Sequence, residues 1–356
     1  LHKEYRRQRQ MCIRDRFDRG EKTLGGIKVS DGLNVTETAK DGTYTLPGHA
    51  RQRFIFITTP SGYKTLNKHY HKIDSRTNGY DFGLLTYHPG IGKDGSHQYV
   101  HVSDTEIFNT EGNEAWVRNI REYAANENAA FIIHTGDICY ENGMKKHIKL
   151  MNTENMNVPV FYCIGNHDLV KGKYGEEVFE NNYGPVYYSF DVANVHYIVT
   201  PMPGGDHKPG YTRLDVCRWL KNDLAHIKPG TPIVVFNHDI LTYGDEFIYK
   251  GSETESIDLN KHNLKAWVYG HWHINHVKKQ GSVYTVCTSA LDKGGIDHST
   301  SAFRIMHVDG KGDFSSELRY SYLNNSICIA SPAGHTASPE VTVNVYSSAS
   351  PVRRVT

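Results

Sequence analysis

The sequence predicts an α/β domain preceded by a small all-β, Ig-like module, and three observations predict it. Residues 17–90 carry short alternating segments broken by Gly and Asp turns. From about 97 to 310, apolar strands alternate with helical patterns. Several of those strands end in clusters of Asp, Asn and His.

The elements follow in order. The opening LHKEYRRQRQMCIRDR is basic and has no useful apolar period. Met11–Arg16 resembles translated sequencing-adapter sequence, so residues 1–16 are expected to be non-native or a solvated tail outside the fold. Ile27–Ser30 alternates, Asp31-Gly32 turns, Leu33–Thr38 alternates again, and Lys40-Asp41-Gly42 turns once more. Tyr44–Leu46 and Phe54–Ile57 add strands, which together predict a β-sandwich over 17–90. Pro89-Gly90 and Gly92–Ser96 read as a linker. Gln98–Ser103 predicts a strand. Asn113–Asn128 predicts a helix with Trp116, Ile120 and Tyr123 on one stripe. Phe131–Thr135, Val158–Ile164, His196–Val199, Ile233–Phe236 and Ala266–Tyr269 predict strands, and Leu214–Ile227 a helix that stops near Pro229-Gly230. Beyond 310 the pattern thins. Residues 331–339 read as a linker, Val341–Tyr346 as a strand, and 311–356 as a linker and the start of a truncated C-terminal domain.

Composition excludes several classes. Lys+Arg number 40 against 39 Asp+Glu, so no electrostatic case exists for nucleic-acid binding. A hydrophobic fraction of 38% argues against global disorder in the 356-residue chain. No apolar run reaches the roughly 18 residues of a membrane-spanning helix. None of the 6 Cys falls in a CxxC pair, which excludes a zinc ribbon and a dense disulfide scaffold.

The 21 His matter through their positions. The strand-end clusters are His101-Val-Ser-Asp104-Thr-Glu106, His134-Thr-Gly136-Asp137-Ile-Cys-Tyr140, Gly165-Asn166-His167-Asp168, Asn237-His238-Asp239 and Gly270-His271-Trp272-His273. The steps from Asp104 to Asp137, from Asp137 to Asn166 and from His238 to His271 each suit one strand–helix–strand unit. The carboxyl ends of such strands share one sheet edge, so distant residues converge. Mixed carboxylates and imidazoles suit Mn, Fe or Zn. Two such ions about 3.5–4 Å apart clamp a phosphoryl oxygen and generate a hydroxide nucleophile, and an unliganded His beside them protonates the leaving oxygen.

The order D-x-[H], G-D-x-x-Y, G-N-H-D, N-H-D and G-H-x-H, with Glu106 departing from the first motif, resembles the calcineurin-like metallophosphoesterase family over about 97–310. Tyr183–Phe190 and Gly294-Gly295 resemble its secreted bacterial branch, which carries an N-terminal β-module and a C-terminal domain. The resemblance implies a two-sheet sandwich flanked by helices, with two divalent ions at the strand ends. It places the first ion on Asp104, Asp137 and His273, with Glu106 where the family has His. The second ion falls to Asp137, Asn166, His238 and His271, so that Asp137 bridges. His167 is the implied proton donor, oriented by Asp168. The implied activity is hydrolysis of a phosphate monoester or diester by metal-bound hydroxide, without a phosphoenzyme. The implied substrate is a small molecule or a cell-envelope component, and the implied location is outside the cytoplasm.

Glu106 also supports a rival from another class, a non-catalytic surface or carbohydrate-binding protein with a degenerate phosphoesterase fold. His101 and His134 are expected to pack or brace, Cys139 and Cys163 to be inert buried thiols, and Trp272 and Tyr140 to pack or line the substrate mouth. The loops Pro201–Gly210 and Leu241–Asp258 are unspecific in composition, so monoester and diester are not distinguished.

Overall fold

A computed structural model describes residues 11–17, 20–77, 79–88, 90–107, 113–321, 325–331, 339–347, 351 and 353–354. Two sheets build the α/β domain. In the first, strands Val160–Tyr162, Ile132–His134 and His97–Val102 lie side by side and parallel. Ala302–Val308 and then Phe314–Tyr320 continue it antiparallel. The second sheet runs Tyr188–Val192, Val195–Val199, Ile233–Phe236, Leu264–Tyr269, Val283–Cys287 and His276–Gln280. Its four middle strands are parallel, and its outer pairs are antiparallel.

The sheets meet through aromatic side chains. Tyr99 stacks on Phe131 at 4.5 Å and meets Phe236 of the facing sheet edge-on at 5.7 Å. Burying such rings stabilises each by about 2–3 kcal/mol. Helix Asn113–Asn126 covers the outer face of the first sheet with Trp116, Ile120 and Ala124. Tyr123, expected on that stripe, is only partly buried and meets Phe303 edge-on. Helix Arg213–Ala225 starts at a capping box, with Thr212 and Asp215 bonding each other's backbone N–H. It buries Val216, Trp219 and Leu220.

The N-terminal module is a sandwich. One sheet runs Val35–Glu37, Lys28–Ser30, Phe54–Ile57, Tyr70–Lys72. The other contains Gly20–Thr23, Met11–Phe17, Phe82–Thr86 and Tyr63–Thr65. Ile55 and Ile57 point into the module's own core, whereas Phe54 and Phe56 belong to the core of the α/β domain. The module therefore docks rather than hanging from a linker. Arg53 bonds the buried Glu176 at 2.6 Å and Glu180 at 2.7 Å across the seam.

Two boundaries are corrected. The expected tail over 1–16 gives way from residue 11 to a strand, Met11–Phe17, parallel to Phe82–Thr86. Backbone groups make such a ladder, so a basic segment without an apolar period still joins it. Residues 1–10 lie outside the described residues. The expected domain end at 310 moves to 320, because Phe314–Tyr320 pairs with Ala302–Val308 along its whole length. Asp309–Gly312 is the connecting turn, with Gly312 at φ +78. The edge strand is polar and half-exposed, which explains its weak signal. Asn325–Ser331 and Thr342–Ser347 form a separate two-stranded ribbon, and residues 332–338 of the expected linker lie outside the described residues. Among the described residues no helix is long and apolar enough to cross a membrane.

A buried polar chain fastens the seam. His196 donates from Nδ1 to Asp191 at 2.6 Å and from Nε2 to Asp223 at 2.8 Å. Lys28 of the module pairs with Asp191 at 3.1 Å, and Ser189 links Asp223 to Thr58. Burial opposes a charged ring, but Asp223 and Asp191 outweigh it and raise His196 from 6.5 to about 9. The folded state therefore holds a proton that the unfolded chain releases. The contribution, on the order of 3 kcal/mol, is complete below pH 6.5 and is lost as pH rises through about 9. Urea denaturation across that window should show this fall, and Asp191→Asn should flatten it. An unchanged slope in the variant would refute the assignment.

Candidate metal centre

The parallel strands of both sheets deliver their C-terminal ends to one edge. Asp104 follows His97–Val102, Asp137 follows Ile132–His134, and Asn166 follows Val160–Tyr162. From the other sheet, His238 follows Ile233–Phe236, while His271 and His273 follow Leu264–Tyr269. The chain turns sharply at each exit. Asp104, Glu106, Asp137, Cys139, His271 and His273 all have positive φ, between 40 and 69. Each such non-Gly residue costs about 1–3 kcal/mol, a concentration of strain characteristic of functional sites. Gly136 allows the close approach, since a Cβ there would lie 2.6 Å from His238 Nδ1. Room for the Asp137 carboxylate comes from Gly165, where a Cβ would meet Oδ1 at 2.1 Å.

The side chains converge. Asp104 is fully buried and accepts from the backbone N–H of His271 at 3.1 and 3.0 Å. Its Oδ1 lies 3.3 Å from His273 Nε2 and 3.9 Å from His238 Nε2. Asp137 Oδ2 lies 3.1 Å from His238 Nε2, and its Oδ1 accepts from the His167 N–H at 3.0 Å. His238 Nδ1 donates to the Thr135 carbonyl at 2.7 Å, which leaves Nε2 as the ligand-ready nitrogen. Asn166 Oδ1 is buried without a hydrogen-bond partner, and His238 Nε2 faces only the carboxylates of Asp137 and Asp104. The ligand atoms of Asp137, His238 and His271 lie within 4.8 Å of one another, and so do those of Glu106, Asp137 and Cys139. Asp137 is common to both groups.

Electrostatics follow the geometry. Burial would raise the Asp137 carboxyl, but the His238 imidazolium beside it outweighs burial and lowers it. Burial likewise opposes the His238 charge, yet Asp137 and Asp104 raise it. Burial and the His238 charge push His271 down, whereas the bond to Asp104 raises His273.

The family model described as calcineurin-like phosphoesterase matches residues 97–275, and that of its N-terminal domain matches residues 11–86. The chain belongs to the calcineurin-like phosphoesterases.

It is accordingly a metal-dependent hydrolase of phosphoric ester bonds. Among solved structures, this phosphoesterase is similar to a dimetal phosphatase from Danio rerio at 10% identity, over 62% of this chain and 98% of that one, with a TM-score of 0.41. It is also similar to a purple acid phosphatase from yellow lupin seeds at 14% identity, over 83% and 67%, with a TM-score of 0.47. A search of curated proteins finds no match.

The phosphoesterase site corrects one residue role. His167 Nδ1 bonds Asp206 Oδ2 at 2.8 Å, so Asp206 orients the ring rather than Asp168. Asp168 is fully buried and accepts from the N–H groups of Cys139 and Gly165 at 2.8 and 2.9 Å. It ties together the loops that carry Asp137 and Asn166. Burial and nearby Asp137 raise its carboxyl. Burial opposes a charge on His167, but Asp206 and Asp137 raise it on balance. His101 and His134 brace the loops that carry Asp137 and Asp104, through Thr135 and Thr105, at 2.9 and 3.0 Å. Cys139 lies beside the carboxylates, and burial together with Asp168 and Asp137 pushes its thiol up.

Sequence reasoning missed two residues. Asp206 sits in the unspecific loop after Pro201. Lys293 reaches in from a turn closed by the Ala290–Gly294 bridge and pairs with Glu106 Oε2 at 2.5 Å. Glu106 Oε1 lies 3.5 Å from His273 Nε2. A carboxylate with a paired ammonium is neutral overall, like the imidazole that it replaces. The negative charge of Glu106 is thus offset by Lys293.

Proposed function

We propose that this edge holds two divalent cations, drawn from Mn, Fe or Zn, and hydrolyses a phosphate monoester or diester with His167 as proton donor. Asp104, Asp137 and His273, with Glu106, hold the first cation; Asp137, Asn166, His238 and His271 hold the second. The observation that carries this reading is the cluster of Asp137, His238 and His271 beside that of Asp104, Glu106 and His273, together with the unpartnered Asn166 Oδ1. A buried polar atom without a partner costs about 1–3 kcal/mol, and a cation beside Asn166 Oδ1 would remove that cost. When bound, the cations supply an activated water and neutralise charge on the phosphoryl oxygens.

The chain's own groups do the rest. Water adds to phosphorus, the phosphorus–oxygen bond to the alcohol breaks, and the departing oxygen takes a proton from His167 Nε2. The Asp206 contact at Nδ1 fixes that ring and favours its protonated form. Asp168 keeps the two loops in register.

Turnover of 4-nitrophenyl phosphate and bis(4-nitrophenyl) phosphate by metal-loaded and chelated protein tests the proposal. Turnover of at least one ester should vanish with chelator and return with metal. Turnover indifferent to chelator, or none with either ester, would overturn it.

A further inference from the structure

Large apolar side chains left in solvent gather around this site. Tyr140, 40% exposed, lies 5.5 Å ring to ring from His167. Ile296 is 75% exposed, and its N–H bonds the His273 carbonyl at 2.8 Å. Tyr243 is 76% exposed and stacks on Trp272 at 5.8 Å with an interplanar angle of 28°.

Tyr243 stands out because its loop is held. Gln280, buried, donates from Nε2 to the carbonyls of Thr242 and Gly244, on either side of Tyr243, at 3.1 and 2.6 Å. Trp272 is anchored as well, with Nε1 bonding Asp239 Oδ1 at 3.0 Å and its ring edge-on to Tyr269 at 5.3 Å. It also lies in sequence between His271 and His273, so its backbone is one peptide unit from each. An exposed ring gains little from burial, and ordering it costs side-chain entropy. A ring fixed in that state beside a reaction centre is suited to stack a flat ligand.

We propose that Tyr243 and Trp272 form a stacking platform beside the metal centre for a planar ring carried by the phosphoester. The preferred substrates are then aryl or nucleoside phosphates rather than alkyl phosphates. The inference rests on the phosphoesterase reading of the same edge and names its substrate class.

The test compares wild type, Tyr243→Ala and Tyr243→Phe on adenosine 5'-monophosphate, phenyl phosphate and glycerol 1-phosphate. Metal-loaded protein is used throughout. Tyr243→Ala should lose about tenfold in kcat/KM on the ring-bearing esters, mainly through KM. It should stay within about twofold of wild type on glycerol 1-phosphate, and Tyr243→Phe should keep the wild-type pattern. A larger effect on adenosine 5'-monophosphate than on phenyl phosphate would point to the nucleoside class, and the reverse to the aryl class. Equal losses on all three esters, or none, would overturn the platform. Calorimetric binding of adenosine 5'-monophosphate separates the two readings. Binding that weakens in Tyr243→Ala without any turnover would keep the platform and sink the catalytic proposal. Binding indifferent to Tyr243 would sink the platform itself.

Discussion

His167→Ala should keep its metal and lose about 10²–10⁴-fold in turnover of esters with poor alkoxide leaving groups. The backbone N–H of His167, not its ring, bonds Asp137 at 3.0 Å. Alanine retains that N–H, so the metal loop stays in place. What disappears is the ring held by Asp206 at 2.8 Å. A nitrophenolate departs without a proton, so the loss on 4-nitrophenyl phosphate should be small. Parallel kcat measurements on an alkyl and a nitrophenyl ester decide the point. Equal losses on both would remove His167 from proton transfer. Asp206→Asn should fall between wild type and His167→Ala, because it weakens the orientation and the charge of the ring while leaving the acid present.

Asp137→Ala should lose metal at both positions. No other side chain belongs to both ligand groups, and its carboxylate alone stands within 3.1 Å of His238 Nε2 and accepts from the His167 N–H. Its removal deletes a ligand from each position and leaves His238, fully buried, without its nearest carboxylate. Metal analysis of the purified variant should fall from about two ions per chain to well below one, with turnover lost in step. A variant that still carries about two ions would contradict the bridging assignment. Asp137→Asn controls for shape, since it keeps the volume and removes the charge.

The strand-end clusters were legible because each is short and local. Gly136-Asp137, Asn166-His167 and His271-Trp272-His273 each lie where a strand signal stops, and the parallel order of the strands brings them to one edge. Asp206 and Lys293 were not legible. Both come from loops without periodicity and reach the site only through tertiary packing. Asp168 does not take the role that the resemblance implied. The family resemblance implied contact with His167, whereas the turn aims the Asp168 carboxylate back at backbone N–H groups. The docked module was half legible. Phe54–Ile57 is apolar on both faces, as a strand covered on both sides must be, but alternation alone does not say what covers the second face.

Titration of Mn²⁺ into chelated protein, with bound metal and phosphoester turnover followed on the same samples, tests the account most directly. Turnover should rise with occupancy and level off near two equivalents per chain. A plateau at one equivalent, or turnover with no metal bound, would contradict a two-ion centre bridged by Asp137.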